Sequence, residues 1–270
     1  MKLIWTFCLI FGLFFCSGES NANAGELNQR LKNFPQWEKL TSVQPAVGDL
    51  IYPQWMKGEW EVTSQMVDLV APLAPEIVTP GFESNRQYLN QPVSFKVRFV
   101  NQFQSRIKHL TSSSYFTPLS LLRRGERGEV TYKIIADRAY NSLNLARAIL
   151  GNDTVKGVKV DPNSPNRQIT FLRGERQLVS IVKSRAKETT ADGRFITTEV
   201  FQQLFKGSSR PYLNSVESTT AYRKLSTSNP AIEANQVTAV YLSPQDPDYF
   251  KAVNKPVALY RYRLEFFPKN

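Results

Sequence analysis

The stretch Tyr52-Pro53-Gln54-Trp55-Met56-Lys57-Gly58-Glu59-Trp60-Glu61-Val62-Thr63-Ser64 decides how the rest of the chain reads. Before Gly58 the sequence is loop-like, and after it the residues alternate. Trp60, Val62, Ser64 and Met66 fall on one side of a two-residue period, and Glu61, Thr63 and Gln65 on the other. That is the pattern of a strand with one buried face. A glycine just ahead of a large aromatic marks the strand entrance expected of a β-barrel that closes on its first strand.

Working outward, residues 94–100 alternate as cleanly, with Phe95, Val97 and Phe99 inward and Lys96 and Arg98 outward, the mark of an antiparallel sheet with one wet face. Residues 129–136, 155–160, 168–172, 177–187, 194–206, 216–225, 236–242 and 256–267 read as further strands. In the last of these Ala258, Tyr260, Tyr262, Leu264 and Phe266 share a face opposite Arg261, Arg263 and Glu265. Residues 139–150 make the one long helix of the body, with Leu143, Ala146 and Leu150 on one side and Gly151 to stop it. A helical turn is expected at 248–253. About eight to ten strands at this spacing predict a single antiparallel up-and-down β-barrel with one or two short helices, and a β-sandwich is the alternative.

The chain begins with Lys2, an apolar run over residues 3–16 and then Ala22-Asn23-Ala24. A basic start, a short apolar core and an Ala-x-Ala site read as a signal peptide over 1–24. Its removal takes Cys8 and Cys16, the only two cysteines, which excludes disulfides, Cys-ligated metal and a cysteine nucleophile from the mature chain. The division is then a signal peptide (1–24), a leader packed on the body (25–57) and a barrel domain (58–270). In the leader, residues 26–32 form a short helix and Pro35 ends it, with Phe34 and Trp37 to pack on the body. Residues 71–91, with Pro72, Pro75, Pro80 and Gly81, form a long structured loop of the kind that carries function.

The formal net charge is +11. A positive surface suits an acidic protein partner or an anionic membrane surface, but the charge is scattered over the strands, and no nucleic acid is expected. Chemistry is sparse. His109, the only histidine, sits in Arg106-Ile107-Lys108-His109 and reads as an ordinary surface or loop histidine. No metal-ligand spacing and no phosphate-cradling glycine loop occurs, so no cofactor is implied. An enzyme would need carboxylates such as Glu83 and Asp137 to converge. Arg124-Gly125-Glu126-Arg127 and Arg173-Gly174-Glu175-Arg176 repeat one tetrapeptide, read as two hairpin turns. The aromatics on strands, Tyr222, Tyr260, Tyr262, Phe201 and Phe95, would either line a cavity for an apolar ligand or fill a core.

Gly58-x-Trp60 followed by a strand meander is similar to the start of lipocalin-like (calycin) barrels. That resemblance implies Trp60 as a structural plug, with Arg261 or Arg263 from the last strand lying across it. A broader resemblance rests on Tyr52-Pro53-x-Trp55-Met56-x-Gly58-Glu59-Trp60, Ala71-Pro72-Leu73-Ala74-Pro75, Asn163-x-x-Asn166-Arg167-Gln168 and Tyr241-Leu242-Ser243-Pro244. These runs resemble an uncharacterised family of cyanobacteria and plant plastids, a domain of unknown function. The resemblance implies a photosynthetic source and a periplasmic or thylakoid-lumen location, and it carries no activity. The expectation is a non-enzymatic binding module for a small apolar ligand (pigment, quinone or lipid). The alternative is an assembly protein acting through its basic surface and the 71–91 loop, with Tyr52 and Trp55 as contact residues.

Overall fold

Alternation of apolar and polar residues shapes nearly the whole computed structural model, which describes residues 25–79, 81–102, 132–207 and 211–269. Helix α1 (Glu26–Lys32), strand β1 (Gln44–Pro45) and a 3-10 turn (Gln54–Met56) precede β2 (Gly58–Val70). Helix α2 (Phe82–Asn85) and a second 3-10 turn (Arg86–Tyr88) lie in the 71–91 loop and lead to β3 (Pro92–Gln102). Then come β4 (Lys133–Ala136), helix α3 (Arg138–Leu150), β5 (Val155–Asp161), β6 (Ser164–Leu172), β7 (Gln177–Thr189) and β8 (Phe195–Lys206). The chain finishes with β9 (Tyr212–Lys224), β10 (Ile232–Leu242), α4 (Tyr249–Ala252) and β11 (Ala258–Pro268).

Among the described residues, eleven strands form one curled antiparallel sheet, a half-barrel, ten of them in the order β4-β3-β2-β11-β10-β9-β8-β7-β6-β5 and β1 off this path beside β7. The first long strand pairs with the last, Trp60 opposite Pro268 and Val62 opposite Phe266, as expected of a barrel that closes on its first strand. Bulges in β2 and β7 adjust the inward faces. Met66 pairs with Tyr262 and Asp68 with Arg261, so Val67 is the extra residue. The buried set therefore runs Trp60, Val62, Ser64 and Met66 and then shifts parity to Leu69. Lys183 does the same between Val182 and Ser184.

The two ends of the sheet, β4 and β5, do not pair with each other. Two other parts of the chain lace this seam. Helix α3, started by the Asp137 carboxylate accepting from Tyr140 N at 3.1 Å, packs against both β3 and β5. Its Asn141 accepts from Arg98 N at 2.7 Å and donates to Arg98 O at 3.2 Å, as a neighbouring strand would. The next residue, Ser142, donates to Gln168 Oε1 on β6 at 3.1 Å. The buried side of α3 is thus Asn141, Ser142, Leu145 and Ala146, whereas the expected Leu143 and Leu150 are only half-buried. Polar side chains won that face because Asn141 supplies the acceptor for the Arg98 N–H and a second donor to the Arg98 C=O, which also accepts from Asp137 N at 3.1 Å.

The leader supplies the second lace. Pro45 pairs with Ser184 on β7, Ala46 N donates to Lys183 O at 3.0 Å, and Tyr52 N donates to Ile134 O on β4 at 2.8 Å. Farther upstream, Leu27, Leu31, Trp37 and Leu40 cover the outer wall over Ile196, Ala221, Val237, Ala239, Tyr241 and Leu259. These upstream residues pack on the sheet, and they also help to close it.

Two of the positive-φ glycines bear directly on strand geometry. Gly58 has φ +132, and Gly207 has φ +89 with a would-be Cβ 2.8 Å from Arg176 Cα. Gly207 thus lets β8 leave close beside the β6–β7 turn, which contains Gly174 as expected. Neither His109 nor the first copy of the repeated tetrapeptide falls within the described residues.

Candidate functional site

The inward face of β6 to β11 is built in rows, because residues paired across neighbouring antiparallel strands stand about 4.8 Å apart. One row runs Phe195, Tyr222, Ala234 and Leu264. Here the chain gathers aromatic rings: Tyr222 lies 6.5 Å from Phe195 and 6.1 Å from Phe266, and Trp60 meets Phe266 edge-on at 6.4 Å. Tyr52 joins them, at 4.7 Å from Phe99 and 5.8 Å from Phe195.

Of the five aromatic residues expected to line a ligand, Phe95, Phe201, Tyr222 and Tyr260 are at most 4% exposed and share one inner cluster, with Tyr262 packed against it. Burial, with a smaller contribution from Tyr260, pushes the Tyr262 phenol well above its ordinary value, so it stays a neutral donor. The 71–91 loop stops one end of the interior. Ile77 and Phe82 enter the core, Phe82 lies 6.0 Å from Tyr260, and Asn85 donates to the Tyr260 hydroxyl at 3.2 Å.

Two expectations are corrected by the structure. Arg261 and Arg263 do not lie across Trp60, because they occupy the outer wall opposite Asp68 and Gln65 while Trp60 faces inward opposite Pro268. Arg261 instead bonds Asn235 at 3.1 Å and lies over the Phe34 ring at 5.5 Å, and Arg263 pairs with Glu265. The Trp60 indole is held by its own turn, donating to Met56 O at 2.8 Å. Tyr52, expected on the outside as a contact residue, is 4% exposed inside the ring cluster, drawn in by the strap that crosses the seam; Trp55 is half-buried.

Polar residues interrupt this apolar wall, and aromatic counting alone overlooked them. Gln168, Ser180, Gln203 and Asn214 form one continuous row across β6, β7, β8 and β9. Thr170 adjoins Gln168 on β6, and Ser218 lies two inward positions along β9 from Asn214. All are buried. Gln168 Nε2, Thr170 Oγ1, Ser180 Oγ, both amide ends of Gln203 and Ser218 Oγ have no hydrogen-bond partner among the described residues. The signal was present in β8, where Thr197, Glu199 and Gln203 share the period of Phe195, Phe201 and Phe205.

A charged knot sits nearby. Arg185, 1% exposed, donates to Glu199 at 3.0 Å and to Asn166 at 2.7 Å. Arg138 lies 3.4 Å from Asp49, which also accepts from Gln102 at 3.2 Å. Burial pushes the Asp49 carboxyl above its ordinary value, against the pull of Arg138 and then Arg185. Each arginine has its own carboxylate, so the knot ties the strap and the helix to the wall.

On the outer wall, Asp192, Arg194, Arg223, Glu233, Asn235 and Arg263 line an open groove of 530 Å³. Its arginines are committed, Arg194 to Asp192 at 2.8 Å, Arg223 to Glu233 at 2.5 Å and Arg263 to Glu265 at 2.7 Å. Glu83 pairs with Arg86 and Asp137 with Arg98, so each of these carboxylates serves a local structural contact. Among the described residues, no cluster of three or more His, Cys, Asp or Glu side chains could hold a metal ion, and no helix is long and apolar enough to cross a membrane.

Residues 44–270 match a family model described as a domain of unknown function, DUF6816. No curated protein and no solved structure matches the chain.

Proposed function

We propose, for a chain that belongs to the DUF6816 family, that it is an exported, non-catalytic binding module. In this reading the inner wall of the half-barrel holds a small, mainly apolar molecule. Export rests on the basic-apolar-Ala-x-Ala start of the sequence. The observation that carries the ligand reading is the row of buried polar side chains set among the inner rings. Six polar atoms from five residues lack partners there, and each such atom left dry costs about 1–3 kcal/mol. A wall built only to be filled would use apolar residues at those positions, as it does at Phe201, Val216 and Val240. Binding sites for small molecules are largely apolar with a few placed polar groups, and this wall has that composition.

The alternative, an assembly protein acting through its basic surface, is less well supported. Tyr52 is not on the surface, and the 71–91 loop spends Ile77, Phe82 and Asn85 on the core.

The test is to purify the mature protein from its native host, extract it with organic solvent and identify what is released. Release of a stoichiometric apolar compound is the expected result. An empty extract, together with no quenching of tryptophan fluorescence by added apolar probes, would overturn the reading.

A further inference from the structure

The polar row also specifies the chemistry of the molecule it would meet, an inference that rests on the inner wall being a ligand site. Gln168 Oε1 is already taken by Ser142 Oγ on α3 at 3.1 Å. The amide of Gln168 therefore offers only its Nε2 hydrogens. Thr170 and Ser180 add hydroxyl hydrogens, and Gln203 adds an amide with both ends unpartnered. Each of these four side chains has a donor to offer, and among the four Gln203 Oε1 is the one acceptor that cannot itself donate. Such a set is complementary to an acceptor.

Charge narrows the class further. The row contains no ionisable side chain, and the nearest inward cation along β7, Arg185, is bound to Glu199 and Asn166. A carboxylate or phosphate buried here would lose its hydration without a cation to replace it, which is costly in a low-dielectric interior. A carbonyl oxygen, neutral and able to accept two hydrogen bonds, meets no such penalty. The rings of Phe201 and Phe205, on either side of Gln203 along β8, supply the apolar contact for its carbon frame.

We infer that the row Gln168, Ser180 and Gln203, with Thr170 beside it, is a hydrogen-bonding subsite for the carbonyl group of a neutral ring compound. A corollary concerns stability. In the ligand-free protein the Gln203 amide is a buried group without partners, so an apolar residue of similar size should make the empty fold more stable.

Equilibrium dialysis of the purified mature protein against three probes of one ring system tests this: fluorenone, fluorene and fluorene-2-carboxylate. Fluorenone should bind at least about tenfold more tightly than fluorene, since a site built to bond an oxygen rejects the analogue lacking it. The carboxylate should bind more weakly than fluorenone. Gln203→Leu should bring fluorenone affinity down toward that of fluorene and raise the thermal midpoint of the ligand-free protein. Thr170→Val, which removes a hydroxyl at nearly constant shape, should lower fluorenone affinity independently.

Equal affinity for fluorenone and fluorene would overturn the carbonyl subsite and leave the apolar-ligand reading standing. Binding of neither probe would overturn both. A Gln203→Leu protein that is less stable and still prefers fluorenone would show the amide to be a structural partner, and would overturn the inference.

Discussion

Glu217 and Gln203 sit on adjacent strands, on opposite faces of one sheet, and neither exposes any surface. The outer-wall residue, Glu217, is met from three sides. Arg30 reaches it at 2.5 Å, the Tyr241 hydroxyl at 3.1 Å and Leu40 N at 3.4 Å. Nearby, Glu188 accepts from Leu27 N at 3.0 Å. Burial and the Glu217 charge push the Tyr241 phenol far above its ordinary value, which keeps it a donor. The inner-wall residue, Gln203, has no partner among the described residues at either amide end. The leader has orphans too, Trp37 Nε1 among them, but those of the inner wall fall on neighbouring inward positions. Where the protein buries a carboxylate to hold itself together, it brings the donors with it. Where it leaves a run of polar atoms unmatched on adjoining strands, stability is not what they serve.

The largest test of that contrast is on the outer wall. Glu217→Ala strips Arg30 and Tyr241 of a buried partner and should cost about 3–5 kcal/mol in urea unfolding. A loss below about 1 kcal/mol would erase the distinction between the faces. Next, Tyr241→Phe removes one bond to a charged acceptor and should cost about 1.5–3 kcal/mol by the same measurement. At the seam, Asn141→Ala takes the partner from the Arg98 N–H while Asp137 N still serves the Arg98 C=O, and should cost about 1–3 kcal/mol, with faster amide exchange at Arg98.

The smallest effect concerns pH. The folded state binds the Asp49 proton more tightly than the unfolded chain does, because its carboxyl is raised by burial. Its contribution to stability is therefore full below the ordinary carboxylate value and is lost as pH rises through the raised one. Denaturation of wild type and Asp49→Asn across the acidic range should show wild type losing ground to the variant as pH increases. The opposite trend would mean that Arg138 and Arg185 outweigh burial there.

Much of the architecture could be read from particular residues. The alternation from Trp60 to Met66 and from Ala258 to Phe266 located the two strands that pair, and residues 139–150 fell within one residue of the observed helix. Register could not be read. A two-residue period gives the face of Arg261 and says nothing about which residue stands opposite, so its place relative to Trp60 had to come from the pairing. The bulge at Val67 was invisible for the same reason, since it reverses parity without any glycine or proline to announce it. The role of residues 44–52 escaped because a strap that bonds two distant strand edges by single contacts has no periodicity of its own. Of the candidate site, the aromatic half was visible and the polar half was missed, because Gln203 looks like a solvent-facing residue until its neighbours at two-residue spacing are counted.

The pairing of β2 with β11 has a consequence for how the molecule comes into being. Trp60 and Pro268 are partners separated by nearly the whole domain, so the half-barrel cannot be assembled progressively from its start. A chain still missing the eleven residues of β11 would leave β2 and β10 with bare edges, and bare edges recruit other chains. Closing so long a loop is also slow compared with forming local hairpins. The final strand therefore acts as a completion step, and premature termination near the C-terminus should yield aggregates rather than a shortened, working protein.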